Sequence, residues 1–314
     1  MRVIDLDQIR QALESVDVLE EVAAGFVAYS HGESVVPPVG ELVLEDPPGD
    51  VHIKYGYLRG GETYVIKIAS GFYDNPKRGL PSSNGLMLVF DRETGQPQAI
   101  LLDEGYLTDV RTAAAGALAA RHLAPSSVQR IGIVGAGIQA RLQLEYLAQI
   151  CDCRQVLAWG RSPDAMARYR DDMAAKGFDV EIACDSAEVA AGCDLIVTTT
   201  PSTEPLLRAA DVRPGTHITA MGSDTPGKQE LDAALLGRAD RVVADSIVQC
   251  RERGEIAHAL QAGLVREKDL VELGSVIVGD AVGRTAEDQI TVADLTGVAV
   301  QDIQIATAVV GALG

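Results

Sequence analysis

The chain has 314 residues, of which 47% are hydrophobic, so a sizeable core forms and wholesale disorder is excluded. At roughly 100–200 residues per domain, this length allows two domains. A formal net charge of −18 speaks against a nucleic-acid partner, which calls for a basic patch, but leaves room for a local cationic pocket.

Residues 1–30 carry helical periodicity, with Ile9, Leu13, Val16, Leu19, Val22 and Phe26 at three- and four-residue steps. From 35 to about 103 short β-rich runs take over. VHIKYGYL (51–58) and TYVIKIAS (63–70) alternate in polarity around Arg59-Gly60-Gly61-Glu62, a hairpin signal. GLMLVFD (85–91), the turn Glu93-Thr94-Gly95 and QAILLD (98–103) predict a second hairpin. A helix is expected from about Thr108 to His122, with Thr108 as its N-cap.

Beyond Val128 strands and helices alternate. RIGIV (130–134), QVLAWG (155–160), DLIVTTT (194–200), HITAMG (217–222) and RVVADS (241–246) read as strands. AGIQARLQLEYLAQI and PDAMARYRDDMAAKG read as helices, and GVAVQDIQIATAVVGAL as a closing helix that packs back on the N-terminal domain. Such alternation predicts a parallel sheet covered on both faces. The expected fold class is α/β, with a Rossmann dinucleotide-binding domain at 125–298 inserted into an α+β domain made of 1–124 and 299–314.

No charged n-region followed by an apolar h-region opens the sequence, and no run of about 18 apolar residues occurs. Neither a signal peptide nor a membrane span is expected. Cys151, Cys153, Cys184, Cys193 and Cys250 are odd in number, and Cys151-Asp152-Cys153 lacks CxxC spacing. They read as buried, reduced thiols of a cytoplasmic protein, with no metal site.

The fingerprint Gly135-Ala136-Gly137-Ile138-Gln139-Ala140 follows a predicted strand and opens a predicted helix. Gly135 permits the tight turn, Gly137 lets a pyrophosphate approach, and Ala140 allows close helix–strand contact. The expected cofactor-binding set is Gly135, Ala136, Gly137, Ile138 and Gln139, with Arg161, Ser162, Thr199, Thr200, Met221 and Gly222 at later strand ends. After the second strand the chain reads Trp159-Gly160-Arg161-Ser162, with no acid until Asp164. Arg161 and Ser162 suit the 2′-phosphate of NADP, and Arg161 stacked on adenine is equally compatible with NAD.

Three charged features stand out. With Gly60 and Gly61 as a two-residue turn, Lys67 lies directly opposite Lys54 and Ala69 opposite His52, while Tyr55, Tyr57, Tyr64 and Ile66 take the other face. Like charges directly opposite are destabilising, so the lysines are either solvated or share an anion. Arg111 falls near a helix N-terminus, where the macrodipole disfavours a cation. It is either a surface residue or part of a carboxylate site. Asp224, in GSDTPGKQE (222–230) after a strand, is either a turn or N-cap aspartate or lies beside the cofactor.

Lys67, LTDVRTAAAGALAA, VGAGIQA, MGSDTPGKQEL and TGVAVQDI together resemble the ornithine cyclodeaminase/mu-crystallin family over nearly the whole chain. The resemblance implies a substrate-binding and dimerisation domain, a Rossmann domain carrying nicotinamide, homodimers, and a site between the domains. It also implies that Lys67 and Arg111 grip a substrate α-carboxylate and that Asp224 is the catalytic aspartate, with Lys67 counted in the catalytic set. Two departures stand out. Pro37-Pro38-Val39-Gly40 occupies the place of a substrate-binding arginine. Lys54 stands where ornithine cyclodeaminase places a glutamate, an exchange that repels a terminal ammonium and attracts a second carboxylate. The segments SGFYDNPKRGLPSSNGLMLVFD and LLDEGYLTDVRTAAAG resemble the ectoine-utilisation branch and the imine reductases of glyoxylate assimilation that convert iminosuccinate to aspartate. The expectation is reduction of that dicarboxylate imine with NAD(H), NADP(H) being the alternative cofactor, and with Lys54 and His52 at the distal carboxylate. A cyclodeaminase-like or ectoine-pathway deaminase, or a mu-crystallin-like NADP(H)-binding protein, is the alternative function.

Overall fold

The computed structural model describes residues 1–72 and 74–314, so Tyr73 of the SGFYDN segment lies outside the described residues. The chain separates into two compact units, Met1–Thr112 with Val298–Gly314, and Ala113–Gly297.

The first unit begins with strand β1 (Arg2–Ile4) and helices α1 (Leu6–Leu13) and α2 (Val18–Ser30). The single helical periodicity expected over 1–30 is therefore corrected to a strand and two helices. Asp5 and Asp17 cap those helices through their side chains, which is where the continuous pattern breaks. Strands β2 (Ser34–Val35), β3 (Gly40–Glu45), β4 (Pro48–Leu58), β5 (Thr63–Gly71), β6 (Ser83–Asp91) and β7 (Pro97–Leu101) follow. They form a mixed sheet ordered β1-β7-β6-β5-β4-β2, with β3 also on β4 and only the β1–β7 pair parallel.

The β4–β5 register is the one the Gly60-Gly61 turn implies: Lys54 faces Lys67, His52 faces Ala69, and Tyr55 and Tyr57 face Ile66 and Tyr64. Lys67 continues across to Met87, and Met87 to Leu101. Val65, Met87, Val89, Ala99 and Leu101 share that face and are fully buried. The two lysines thus occupy core-facing positions, while Ile53 and Tyr55 on the opposite face are partly exposed. Buried cations among apolar neighbours are the informative inversion here.

Helix α3 (Tyr106–Leu123) starts earlier than expected. Asp103 Oδ2 accepts the Leu107 N–H at 2.9 Å, and Glu104 and Gly105 take positive φ to make the turn. Thr108 is consequently inside the first turn, not the cap, and Arg111 falls in the second turn. The helix-terminus argument for Arg111 is weakened by that shift.

The second unit contains β8 (Ile131–Val134), α4 (Ile138–Leu147), β9 (Gln155–Trp159), α5 (Pro163–Ala174), β10 (Asp179–Ile182), α6 (Ser186–Gly192) and β11 (Leu195–Thr198). It continues through β12 (His217–Ala220), α7 (Ala233–Arg238), β13 (Arg241–Ala244), α8 (Ile247–Cys250), α9 (Gly254–Gln261), β14 (Val271–Glu272), α10 (Leu273–Val278) and β15 (Thr291–Asp294). The chain then returns to the first unit as α11 (Ala299–Ala312), which packs on α2, β4 and β5. All pairings of the second sheet are parallel, in the order β10-β9-β8-β11-β12-β15-β13-β14. From β8 the chain first winds outward through β9 and β10, then reverses to β11 and β12. The carboxyl ends of β8 and β11 flank this switch point, where doubly wound sheets bind ligands. Its central strands are buried on both faces, with Val134, Ile196, Ile218 and Val292 in one apolar core.

The five cysteines are free. Only Cys193 and Cys250 are buried and Cys184 is exposed, which corrects the expectation of uniformly buried thiols. Among the described residues no helix is long and apolar enough to cross a membrane, and no group of His, Cys, Asp or Glu is arranged to hold a metal ion.

Candidate functional site

Two groups of chemistry-bearing residues form, one in each unit. In the first unit β4 and β5 present Lys54 and Lys67, which are 6% and 2% exposed, so full solvation of the pair is excluded. Helix α11, lying on those strands, contributes Asp302. Its Oδ2 is 3.7 Å from Lys67 Nζ and its Oδ1 is 2.9 Å from Arg111 Nε. Arg111 Nη1 also donates to Gln301 Oε1. Arg111, Gln301 and Asp302 are all buried. Burying charges in this way is costly unless they are paired, and Asp302 is the counter-ion that Lys67 and Arg111 share. The Asp302 carboxylate meets Arg111 as an ion pair off the hydrogen-bonding line, since neither its oxygens nor Arg111 Nε forms an aligned hydrogen bond.

His52, on the Lys54 face of β4, is half-buried, and its ladder partner in β3 is Glu41. Asp103, the cap of α3, is buried with Oδ1 making no hydrogen bond. Burial pushes its carboxyl up, and the Asp302 charge adds to that rise. Neither Asp302 nor Gln301 was assigned a role from sequence. The signal was present in TGVAVQDI, where two adjacent polar residues interrupt an apolar helix.

In the second unit the fingerprint forms the turn between β8 and α4. Gly135 has φ of +129°, and a Cβ there would stand 2.4 Å from Thr199 Oγ1. A Cβ on Gly137 would meet nothing within 4 Å, so open space lies beside the N-terminus of α4, a helix with no side-chain cap. A positive-φ glycine turn, an open approach and uncapped N–H groups together fit a diphosphate. Thr199 is joined to the turn, its N–H donating to the Val134 carbonyl at 2.9 Å. Beyond β9, Arg161 is exposed, and the Ser162 oxygen accepts the Ala165 N–H as N-cap of α5. Arg161 therefore has the freer side chain for an adenosine ribose or its phosphate.

Thr200, Met221 and Gly222 sit at the carboxyl ends of β11 and β12, and Asp224 follows. The Asp224 Oδ1 accepts from Lys228 Nζ at 2.7 Å, and the Asp224 side chain is 42% exposed. Lys228 is placed in turn by its carbonyl, which accepts from Ser223 Oγ at 2.6 Å and lies 2.8 Å from His258 Nε2. Asp224 is thus an accessible, cation-held carboxylate in a braced turn, not an N-cap.

The site residues that sequence reading passed over in this unit are acidic and buried. Glu230 accepts at both oxygens: Thr200 N–H at 2.6 Å and Thr200 Oγ at 2.8 Å on Oε1, Thr198 Oγ at 2.7 Å and Gly222 N–H at 2.8 Å on Oε2. Burial pushes its carboxyl up to about 6 despite those donors. Glu255 of α9 accepts the Glu230 and Leu231 N–H groups at 2.8 and 3.0 Å, and burial raises its carboxyl well above the ordinary range.

The model of the ornithine cyclodeaminase/mu-crystallin family matches residues 2–313. The chain belongs to that family. A Sinorhizobium fredii protein named as an uncharacterized cyclodeaminase is 44% identical over 98% of this chain and 94% of its own length. The iminosuccinate reductase of Paracoccus denitrificans is 38% identical over 85% of this chain and 84% of its own length. The nearness to iminosuccinate reductases expected from sequence is therefore exceeded by a relative whose name assigns no such reaction. Among solved structures, an archaeal alanine dehydrogenase dimer with bound NAD superposes with a TM-score of 0.92 at 32% identity, covering 99% of this chain and 95% of that one. The Paracoccus denitrificans iminosuccinate reductase in complex with NAD+ superposes with a TM-score of 0.87 at 32% identity, covering 99% and 96%. These likenesses extend over the α/β architecture as a whole, with its parallel Rossmann-like sheet and mixed second sheet.

Proposed function

We propose that the chain is an NAD(P)H-dependent imine reductase whose substrate is iminosuccinate and whose product is aspartate. The observation that carries this reading is the pair of buried lysines, Lys54 and Lys67, directly opposed on one face of the β4–β5 hairpin. Two cations in register at a core-facing position are destabilising by themselves, and a ligand with two carboxylates offsets that cost. A 38% identical relative named as an iminosuccinate reductase supports the assignment.

In this reading Arg111 and Lys67, held side by side by Asp302, take the α-carboxylate, with the guanidinium offering a planar fork. Lys54, with His52 on the same strand face, takes the distal carboxylate. Asp224, held by Lys228, orients the protonated imine and stabilises its positive charge, which keeps the carbon electrophilic. A nicotinamide cofactor held there would supply a hydride to the imine carbon, which Arg111, Lys67 and Asp224 position and polarise for the loss of the C=N π bond. The resulting amine takes a proton from water to become the ammonium of aspartate. Gly135 to Gln139 cradle the diphosphate, with Thr199, Thr200, Met221 and Gly222 along one half of the dinucleotide and Arg161 and Ser162 along the other. NAD(H) is the favoured cofactor because both solved relatives described above carry NAD or NAD+; NADP(H) is the alternative that Arg161 permits. The assembly is a homodimer, as in the archaeal relative.

The cyclodeaminase reading has the 44% identical relative on its side. Lys54 opposes it, because a lysine repels the terminal ammonium of a diamino acid. One assay separates the cases. The protein is mixed with NADH or NADPH, oxaloacetate and high ammonium, which form iminosuccinate in solution, and in parallel with NAD and ornithine. Nicotinamide oxidation with aspartate formed is the expected result. Ammonia release from ornithine with no net cofactor change would establish the deaminase instead, and cofactor binding without turnover of either would leave a binding protein.

A further inference from the structure

A buried glutamate that receives donors from two separate strand ends is an uncommon arrangement, because an ionised carboxylate is costly to bury and is retained only when fully hydrogen-bonded. Glu230 is 0% exposed and takes four donors. Two of them, the Thr200 and Gly222 N–H groups, are backbone donors that cannot reverse. One lies on each oxygen, so the side chain must be an acceptor at both. Those backbone groups belong to the segments directly after β11 and β12, on the side of the switch point opposite β9. A dinucleotide spans the carboxyl edge of such a sheet, with one mononucleotide half on each side of the reversal.

The packing around the clasp leaves no slack. A Cβ on Gly222 would stand 2.1 Å from the Thr200 carbonyl oxygen and 2.6 Å from Glu230 Oε2. Thr199, next to the clasped Thr200, contacts the glycine turn through Val134. Glu230 itself is set from below, since Glu255 binds its backbone N–H and that of Leu231. The chain of contacts therefore runs from α9 through Glu255 and Glu230 to the two loops and on to the diphosphate turn.

We infer that Glu230 is a positioning residue of the dinucleotide site, its two oxygens locking the β11 and β12 ends into the cradle that receives the half of the cofactor beyond the switch point. This rests on the cofactor reading above and adds to it a residue that does not touch the cofactor. The charged and titratable groups around Glu230 are Glu255 from α9 and Asp294 from β15, both of which interact with it electrostatically, and Lys228 and Asp224 on its own segment. Arg253, which reaches the Asp224 carbonyl, and His258, which reaches that of Lys228, complete the set.

The experiment measures NADH affinity by fluorescence for the full chain and its Glu230→Gln variant between pH 5.5 and 8, together with KM for each substrate. Gln offers one acceptor oxygen and puts an NH2 against a fixed N–H donor. The expected result is NADH binding at least tenfold weaker at pH 7.5, with a raised KM for NADH and an unchanged KM for the imine. Wild-type affinity is expected to fall as pH drops through about 6, and Glu230→Gln to lack that break. Because Glu255 and Asp294 remain in the variant, a break that persists there overturns the inference. So does wild-type affinity in Glu230→Gln, with or without a lowered melting temperature. Should that variant not fold, Thr198→Val removes one hydroxyl donor from Oε2 and is expected to move the break to higher pH; an unmoved break overturns the inference. A wild-type chain that binds neither NADH nor NADPH overturns the cofactor reading itself, a result distinct from all of these.

Discussion

The two units satisfy their buried charge in different ways. In the nucleotide-fingerprint unit Glu230, Asp245, Glu255 and Asp294 are buried acids, and each accepts from backbone N–H groups: Thr200 and Gly222, Gly297, Glu230 and Leu231, and Ile256 respectively. In the sheet-and-helix unit the cations Lys54, Lys67 and Arg111 are buried together with the acids Asp103 and Asp302, and Lys67 and Arg111 meet at the side chain of Asp302. Backbone donors are fixed by the fold, so the acids act as clasps that hold strand ends and helix starts in place. In the proposed reading the buried acids organise the cradle and the buried cations recognise the ligand.

The comparison breaks most visibly at Asp302. If it is the counter-ion of the cation cluster, Asp302→Asn leaves buried positive charge uncompensated. The expected loss is about 3–5 kcal/mol of unfolding free energy by denaturant titration. Wild-type stability in this variant would mean that the cations are balanced elsewhere.

A smaller effect sharpens the acid side. The folded Glu230 carboxyl, raised to about 6, holds its proton at pH values where the unfolded residue has released it. Its contribution to stability is therefore fully present below the unfolded pKa and is lost as pH rises through about 6. Glu255 and Asp294, both raised, act with the same sign. Between pH 7 and pH 5 wild type should gain about 1 kcal/mol relative to Glu230→Gln, read from paired denaturant curves. A difference that does not change with pH would show that Glu230 does not titrate in this range.

Much of the fold was legible because its determinants are local. Gly60-Gly61 fixed the hairpin register that sets Lys54 against Lys67, and the glycine turn announced the parallel sheet's switch point. The helix starts that differ from expectation, at Asp5 and at Asp103, are those where an aspartate side chain accepts a backbone N–H of the first turn. The burial of the lysines was not legible. Alternation shows which residues share a face, but not that α11, arriving from the far end of the chain, covers it. Asp302 and Glu230 were missed for the same reason: the polar interruption at Gln301-Asp302 is visible in the sequence, but the partners that define each acid's role are remote from it.

The central claim is that Lys54 and Lys67 divide one dicarboxylate between them, and Lys54→Met tests it most directly. The measurement is kcat/KM for the imine of oxaloacetate against that of pyruvate, which lacks the distal carboxylate, in wild type and variant. Losing one charge-assisted hydrogen bond predicts a drop of about tenfold or more for the dicarboxylate imine, with the pyruvate imine unchanged or improved. Equal loss on both substrates, or no loss on either, would contradict the account.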